Sequence, residues 1–330
     1  MQAFACRNCG SPLYFENSTC VSCGISLGFS RDERAIVPVD ENGRYVDAEG
    51  QEWWLCANGE IAGCTWLARE RGTLCFNCSL TRTRPNDADE AGLRAFKGAE
   101  SAKRRLIVEL DALGLPIVTR AEDPEKGLAF DLLSSSQESV TTGHANGLIT
   151  IDLAEGDSVH REQVRRNLDE PYRTMLGHFR HEIGHYYEMV LVQGELLERA
   201  RELFGDERED YGEAIDRHYK QGPPPNWRQS HISAYATMHP WEDFAENFAH
   251  FLHINDTIDT AQSFGLTTVD AQAFRSFRDL VTGVWIPLSV ALNQINRSMG
   301  REPLYPFVIA GPVLDKLEFV AALSPRYKLL

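Results

Sequence analysis

His178-Phe179-Arg180-His181-Glu182-Ile183-Gly184-His185-Tyr186-Tyr187 carries two signals at once. The apolar residues around it, from Tyr172 to Val192, recur with the period of an amphipathic helix, and inside that helix His181-Glu182-Ile183-Gly184-His185 is an H-E-x-x-H pattern. On a helix of 3.6 residues per turn, positions i and i+4 lie one turn apart on the same face. Both imidazoles can therefore reach one Zn²⁺ at about 2.0–2.1 Å, with Glu182 facing the water on that metal. The pattern arises by chance in roughly one chain of this length in a hundred, so the surrounding sequence has to supply a third ligand before it means anything.

Working outward, the metzincin solution needs glycine and histidine at the third and sixth positions after His185; those positions hold Glu188 and Leu191, which excludes it. The other common solution takes a glutamate from a second helix. Trp241-Glu242-Asp243-Phe244-Ala245-Glu246-Asn247-Phe248 places Glu242 and Glu246 on one face, with Trp241, Phe244, Ala245, Phe248 and Leu252 forming the buried stripe. His250 and His253 follow on the same helix, but at 1.5 Å per residue they lie roughly 12 and 16 Å along the axis from Glu242 and cannot share its metal. They read as partner-satisfied histidines. His178, one turn before His181, reads as structural or as a support for the site, with a ligand role left open.

The helix pair HFRHEIGHYY and SAYATMHPWEDFAENFAHFLH resembles the gluzincins, zincin metallopeptidases whose third ligand is glutamate, and the spacing Tyr235…Glu242…Glu246 is similar to that of anthrax lethal factor. Nearly the whole chain, N-terminal cysteines included, resembles bacterial zinc-binding metallopeptidases with an attached zinc ribbon. The resemblance implies His181, His185 and Glu242 as ligands and Glu182 as general base. It also implies that Glu246 orients a ligand histidine and that Tyr235 donates to the oxyanion. The thermolysin-like branch usually has aspartate where this chain has Glu246.

The chemistry of the residues agrees. Zn²⁺ lowers the pKa of its bound water towards about 7 and polarises a peptide carbonyl, while an adjacent carboxylate, here Glu182, takes the proton and can return it to the leaving amine. The oxyanion needs a donor opposite the base, for which Tyr235 is the first choice and His231 the alternative. The expected substrate is a protein or peptide, lying antiparallel to the edge strand before the active helix. Gly147–Leu153 is the segment placed to be that strand, unless it is internal to the sheet.

All eight cysteines fall between Cys6 and Cys78. Cys6-x2-Cys9-x10-Cys20-x2-Cys23, with Gly10 and Gly24 after each pair, has the form of a zinc knuckle; Cys56, Cys64, Cys75 and Cys78 supply a second set of four. Two structural zincs are expected besides the catalytic one. Spacing leaves open whether the sets pair in order or interleave, and a disulfide framework is the competing reading where the compartment is oxidising. The start MQAFACRNCG has neither a basic segment nor an apolar one, so the expectation is no secretory signal and a cytoplasmic location.

The remaining features bound the function. At 330 residues with 43% hydrophobic side chains, the chain can bury a sizeable core. A formal charge of −15 opposes extended contact with phosphate backbones or anionic lipid. Residues 1–84 hold 8 Lys/Arg against 10 Asp/Glu, leaving no basic face for nucleic acid. The cysteine-rich module is therefore expected to contact a protein partner, with Trp53, Trp54 and Trp66 either exposed for that purpose or packed in its small core. The expected fold is α+β: a zinc-ribbon module over 1–84 and a zincin-like metallopeptidase domain over 85–330. The second opens with a connecting helix to Leu113, continues through a strand at Leu128–Leu133 and, after an Asn146-Gly147 turn, another at Gly147–Leu153, and ends in helices at about 171–193, 195–204, 240–261 and 270–297. The last of these could be core or a dimer face, and Asp206–Asp210 reads as a solvated helix start. A competing function is a zinc-binding scaffold or regulatory protein that does not cleave.

Overall fold

The computed structural model describes residues 2–136, 139–156, 174–269, 274 and 276–327. The chain divides into two compact units, Met1–Leu110 with Ile117–Asp157, and Asp111–Pro116 with Ser158–Leu330. The first holds the cysteine-rich segment together with the small sheet; a division at 84/85 follows the cysteines instead and stays a proposal about folding units.

In the first unit, short strands frame the cysteine loops: β1 (Phe4–Ala5) with β2 (Pro12–Leu13), β3 (Leu27–Ser30) with β4 (Ala35–Pro38), and β5 (Arg44–Val46), β6 (Glu52–Leu55) and β7 (Leu67–Ala68) in one sheet. Each knuckle closes on its glycine. The Gly10 N–H donates to the Cys6 carbonyl at 2.8 Å and the Gly24 N–H to the Cys20 carbonyl at 2.8 Å, both glycines at φ +76°, a left-handed conformation that costs a β-carbon dearly. The apolar core here is small: Phe4, Phe15, Phe29 and Trp66 pack with ring centroids 4.9–6.4 Å apart. Trp66 is core, whereas Trp53 and Trp54 stay half-buried, stacked under the guanidinium groups of Arg69 and Arg71.

After the one-turn helix α1 (Phe76–Ser79) and strand β8 (Thr81–Thr83), the connecting helix α2 (Glu90–Leu113) buries Phe96, Leu106 and Leu110, as its spacing predicts. Strands β9 (Ala129–Leu133), β10 (Gly143–Ala145) and β11 (Leu148–Asp152) join β8 in the order β10-β11-β9-β8. Asn146 and Gly147, at φ +47° and +81°, form the two-residue hairpin turn between β10 and β11. That turn corrects one expectation. β11 is hydrogen-bonded to β10 on one side and to β9 on the other, so it has no free edge for a substrate strand. Alternation of apolar and polar residues reports the two faces of a strand and is silent about its edges.

The second unit is helical: α3 (Met175–Leu191), α4 (Glu195–Phe204), α5 (Tyr211–Gln221), α6 (Pro240–Ser263), α7 (Phe277–Leu280), a π-helical turn at Val281–Trp285, α8 (Ile286–Ser298) and α9 (Gly311–Ala322). The first residues of the helices read at 171–193 and 270–297 lie outside the described residues. Helix α9 carries no signal used above, and of α5 only its acidic start does. Asp210 caps α5 by accepting the Glu213 N–H at 2.8 Å, consistent with the acidic stretch as a helix start. In the last long segment Phe277, Leu280, Val281, Val284 and Trp285 are core, while Val290, Ile295 and Met299 are exposed. Among the described residues no helix is long and apolar enough to cross a membrane.

The site is positioned by α3 against α6. Phe179, Ile183 and Tyr187 on one helix and Phe244, Phe248 and Phe251 on the other are fully buried, with Tyr187 stacked on Phe248 at 5.3 Å. Gly184 sets how near the two helices come: a β-carbon there would lie 3.0 Å from the Ala245 α-carbon.

Candidate metal centre

Thr174 caps α3, accepting the Gly177 N–H at 3.0 Å, and the helix carries His181 and His185 onto one face. His239 caps α6 through Nδ1, with Pro240 in its first turn, so Glu242 and Glu246 face those histidines. Glu242 Oε2 lies 2.9 Å from His181 Nε2 and 3.7 Å from His185 Nε2. A tetrahedral zinc with bonds of about 2.0–2.1 Å separates its donors by roughly 3.3 Å, and these two distances bracket that value. Two imidazoles and one carboxylate are the donor set of a catalytic zinc, which leaves a fourth position open. The residues fit the metal.

The surrounding groups hold this set in place. Glu246 Oε1 takes His181 Nδ1 at 2.9 Å, fixing the ring so that Nε2 points at Glu242, and Ser233 Oγ donates to Glu246 Oε2 at 2.6 Å. Tyr211 Oη donates to Glu242 Oε1 at 2.6 Å. Tyr235, in a 3₁₀ turn at Tyr235–Thr237, stands beside His181 with ring centroids 5.8 Å apart. His231 is elsewhere: its Nδ1 is 3.0 Å from Ser230 Oγ and its Nε2 faces Asp243, 3.6 Å away, in a group with the buried Lys316 of α9. Lys316 also donates to the Ser230 carbonyl at 2.8 Å, so α9 anchors the loop that bears Ser233 and Tyr235. His250 and His253 pack with Tyr305, His250 Nδ1 lying 2.8 Å from its hydroxyl.

Electrostatics follow from burial and charge. Burial raises the pKa of Glu182, and the neighbouring His181 and His185 only partly offset it. Burial would also raise Glu242, but His185 and His181 hold it well below the usual carboxylate range. For His181 burial disfavours the cation, yet carboxylates at both ring nitrogens outweigh it and raise the pKa well above the ordinary value. This is a pocket that stabilises positive charge.

The cysteines form two sets in chain order, Cys6/Cys9/Cys20/Cys23 and Cys56/Cys64/Cys75/Cys78, with all sulfurs of each set within 4.8 Å of one another; the interleaved pairing is not adopted. Four thiolates close a tetrahedral site with no open position. In the second set the Asn58 and Cys75 N–H groups donate to Cys56 Sγ at 3.4 and 3.2 Å.

Sequence reasoning did not find Tyr211 or Ser233. They lie 31 and 13 residues from the carboxylates they touch, on segments with no periodic relation to those carboxylates.

The geometry thus brings together a donor set that could hold a metal ion on a helix pair in one unit, and two four-thiolate sets in the other. Comparison with known proteins agrees with both. Residues 92–323 match the model of a family described as "putative zinc-binding metallo-peptidase", and residues 3–89 match a zinc-ribbon domain. Proteins of Mycobacterium bovis and of two Mycobacterium tuberculosis strains, each named only as an uncharacterized protein, are 53% identical over 329 residues, covering 97% of this chain and 94% of each relative. The chain belongs to this zinc-binding metallo-peptidase family and carries an N-terminal zinc ribbon. No solved structure matches it.

Proposed function

We propose that the protein is a zinc-dependent peptidase of gluzincin type, with His181, His185 and Glu242 as ligands of one zinc and the two cysteine sets each holding a structural zinc. The observation that carries this reading is the convergence of both histidine Nε2 atoms on one oxygen of Glu242, next to the buried Glu182. When bound, zinc supplies an acidified water and an electrophile for the scissile carbonyl. Glu182, buried beside His181 and His185, takes the water's proton and returns it to the leaving amine. Glu246 and Ser233 keep His181 in the tautomer that turns Nε2 inward. Tyr235, beside His181, donates its phenolic hydrogen bond to the oxyanion; His231 lies with Nδ1 on Ser230 Oγ and Nε2 facing Asp243, which makes it the second choice.

The substrate is a protein or peptide, and the acidic chain favours a basic or partly unfolded one. The zinc ribbon serves a protein partner rather than nucleic acid. A scaffold that holds zinc without turnover would have no use for a carboxylate buried at position 182.

The test is zinc per chain by elemental analysis, together with hydrolysis of a denatured protein. Wild type should hold about three zincs and Glu242→Ala about two while remaining folded; Glu182→Gln should keep all three and lose hydrolysis by several orders of magnitude. If wild type holds only the structural zincs, or Glu182→Gln retains full activity, the reading is wrong.

A further inference from the structure

Glu242 has two oxygens, and the structure gives them different work. Oε2 faces the two histidines at 2.9 and 3.7 Å, whereas Oε1 accepts the Tyr211 hydroxyl at 2.6 Å. A carboxylate with both oxygens free can swing into two-oxygen ligation and fill the position that substrate needs. One whose second oxygen accepts a short hydrogen bond from a fixed donor has that oxygen's charge partly met and its plane held, which favours ligation through the other oxygen. We propose that Tyr211 is a positioning residue of the metal centre, its phenol holding Glu242 to ligation through a single oxygen. This rests on the peptidase reading of the same site.

Tyr211 is well placed to do this. It is the first residue of α5, directly after the capping Asp210. Its ring packs against His239 and Trp241, with centroids 5.2 and 5.9 Å away. His239 ties the starts of α5 and α6 together. Its Nδ1 accepts the Trp241 N–H at 3.1 Å, which leaves the hydrogen on Nε2, and Nε2 donates to the Glu209 carbonyl at 3.1 Å. One imidazole therefore joins the residue two before Tyr211 to the residue before Glu242, fixing the phenol opposite the carboxylate. The result parallels the other side of the site, where Glu246 and Ser233 set the orientation of His181. Outer partners of this kind typically contribute 10–100-fold to metal affinity.

The test uses the full chain with both cysteine sites kept in zinc and the third metal removed by a chelator. Zinc is then returned in competition with a chromogenic chelator, for wild type and Tyr211→Phe. Tyr211→Phe should bind the third zinc about 10–100-fold more weakly, with unchanged thermal unfolding of the stripped protein. Equal zinc affinity in Tyr211→Phe and wild type overturns the proposal. A wild type that takes up no third zinc overturns instead the peptidase reading beneath it. Refilling with cobalt(II) gives a second reading: wild type and Tyr211→Phe should differ in visible absorption, the variant's being weaker as Glu242 gains a second bond to the ion, and identical spectra overturn the proposal.

Discussion

Alanine at position 184 should weaken the fold and the metal centre together, although alanine is the better helix former. A β-carbon at Gly184 would meet the Ala245 α-carbon at 3.0 Å, the Phe248 β-carbon at 3.1 Å and the Ala245 carbonyl oxygen at 3.2 Å. Carbon atoms in contact prefer about 3.5–4.0 Å, so α3 and α6 must part by about 0.5 Å. The obstacle is helix backbone flanked by the fully buried Phe244 and Phe248, which has little room to yield. Overpacking of this kind costs about 1–3 kcal/mol, and the gain in helix propensity of about 1 kcal/mol offsets only part of it. A net loss of about 1 kcal/mol is expected. His185 and Glu242 sit across the same contact, already 3.7 Å apart, and parting the helices takes them further from the roughly 3.3 Å that a tetrahedral zinc requires. Affinity for the third zinc should therefore fall about tenfold or more. Urea unfolding of the protein stripped of that zinc measures the first effect, and chelator competition the second. An alanine variant as stable as wild type, with the same zinc affinity, would refute the view that Gly184 sets the closeness of the pair.

Two further outcomes are expected. Tyr235→Phe should lower turnover on a peptide substrate about 10²–10³-fold, the usual cost of removing one oxyanion donor, with KM little changed; unchanged turnover would remove Tyr235 from the mechanism. His250 is fully buried, which lowers its pKa to about 4, with Arg180 adding to the effect and Glu246 opposing it. The unfolded state then binds a proton that the folded state refuses, so this contribution to stability is complete above about pH 6.5 and is lost as pH falls towards 4, amounting to about 2 kcal/mol by pH 5. His250→Gln should show a smaller drop in unfolding free energy between pH 7 and pH 5 than wild type, and equal drops would contradict the assignment.

Much of the site was legible because its chemistry is local. His181 and His185 are one turn apart, as are Glu242 and Glu246, so helical periodicity alone puts each pair on a shared face. The cysteine spacing and its two glycines likewise announce the knuckles, since four thiolates can hold a segment whose core is two small clusters, one around Phe4, Phe15, Phe29 and Trp66 and one around Val37, Val39 and Leu67. The connecting helix, the hairpin turn at Asn146-Gly147 and the helix at 195–204 follow from spacing and capping in the same way.

Relations between segments far apart in the chain needed the tertiary structure. Whether β11 is an edge strand depends on which strands flank it, and its own alternation is identical in either case. Whether the cysteines pair in order or interleave depends on the path of the intervening chain. Tyr211 and Ser233 support the metal centre only because α5 and the loop anchored by Lys316 return to it, and hydrogen bonds across 31 or 13 residues leave no periodic trace. Gly184 is the plainest case. Metal chemistry leaves that position of H-E-x-x-H unspecified, and only the approach of Ala245 from another helix explains why it carries no side chain. The sequence by itself determined which residues could bind metal; packing decided how closely they meet and what holds them there.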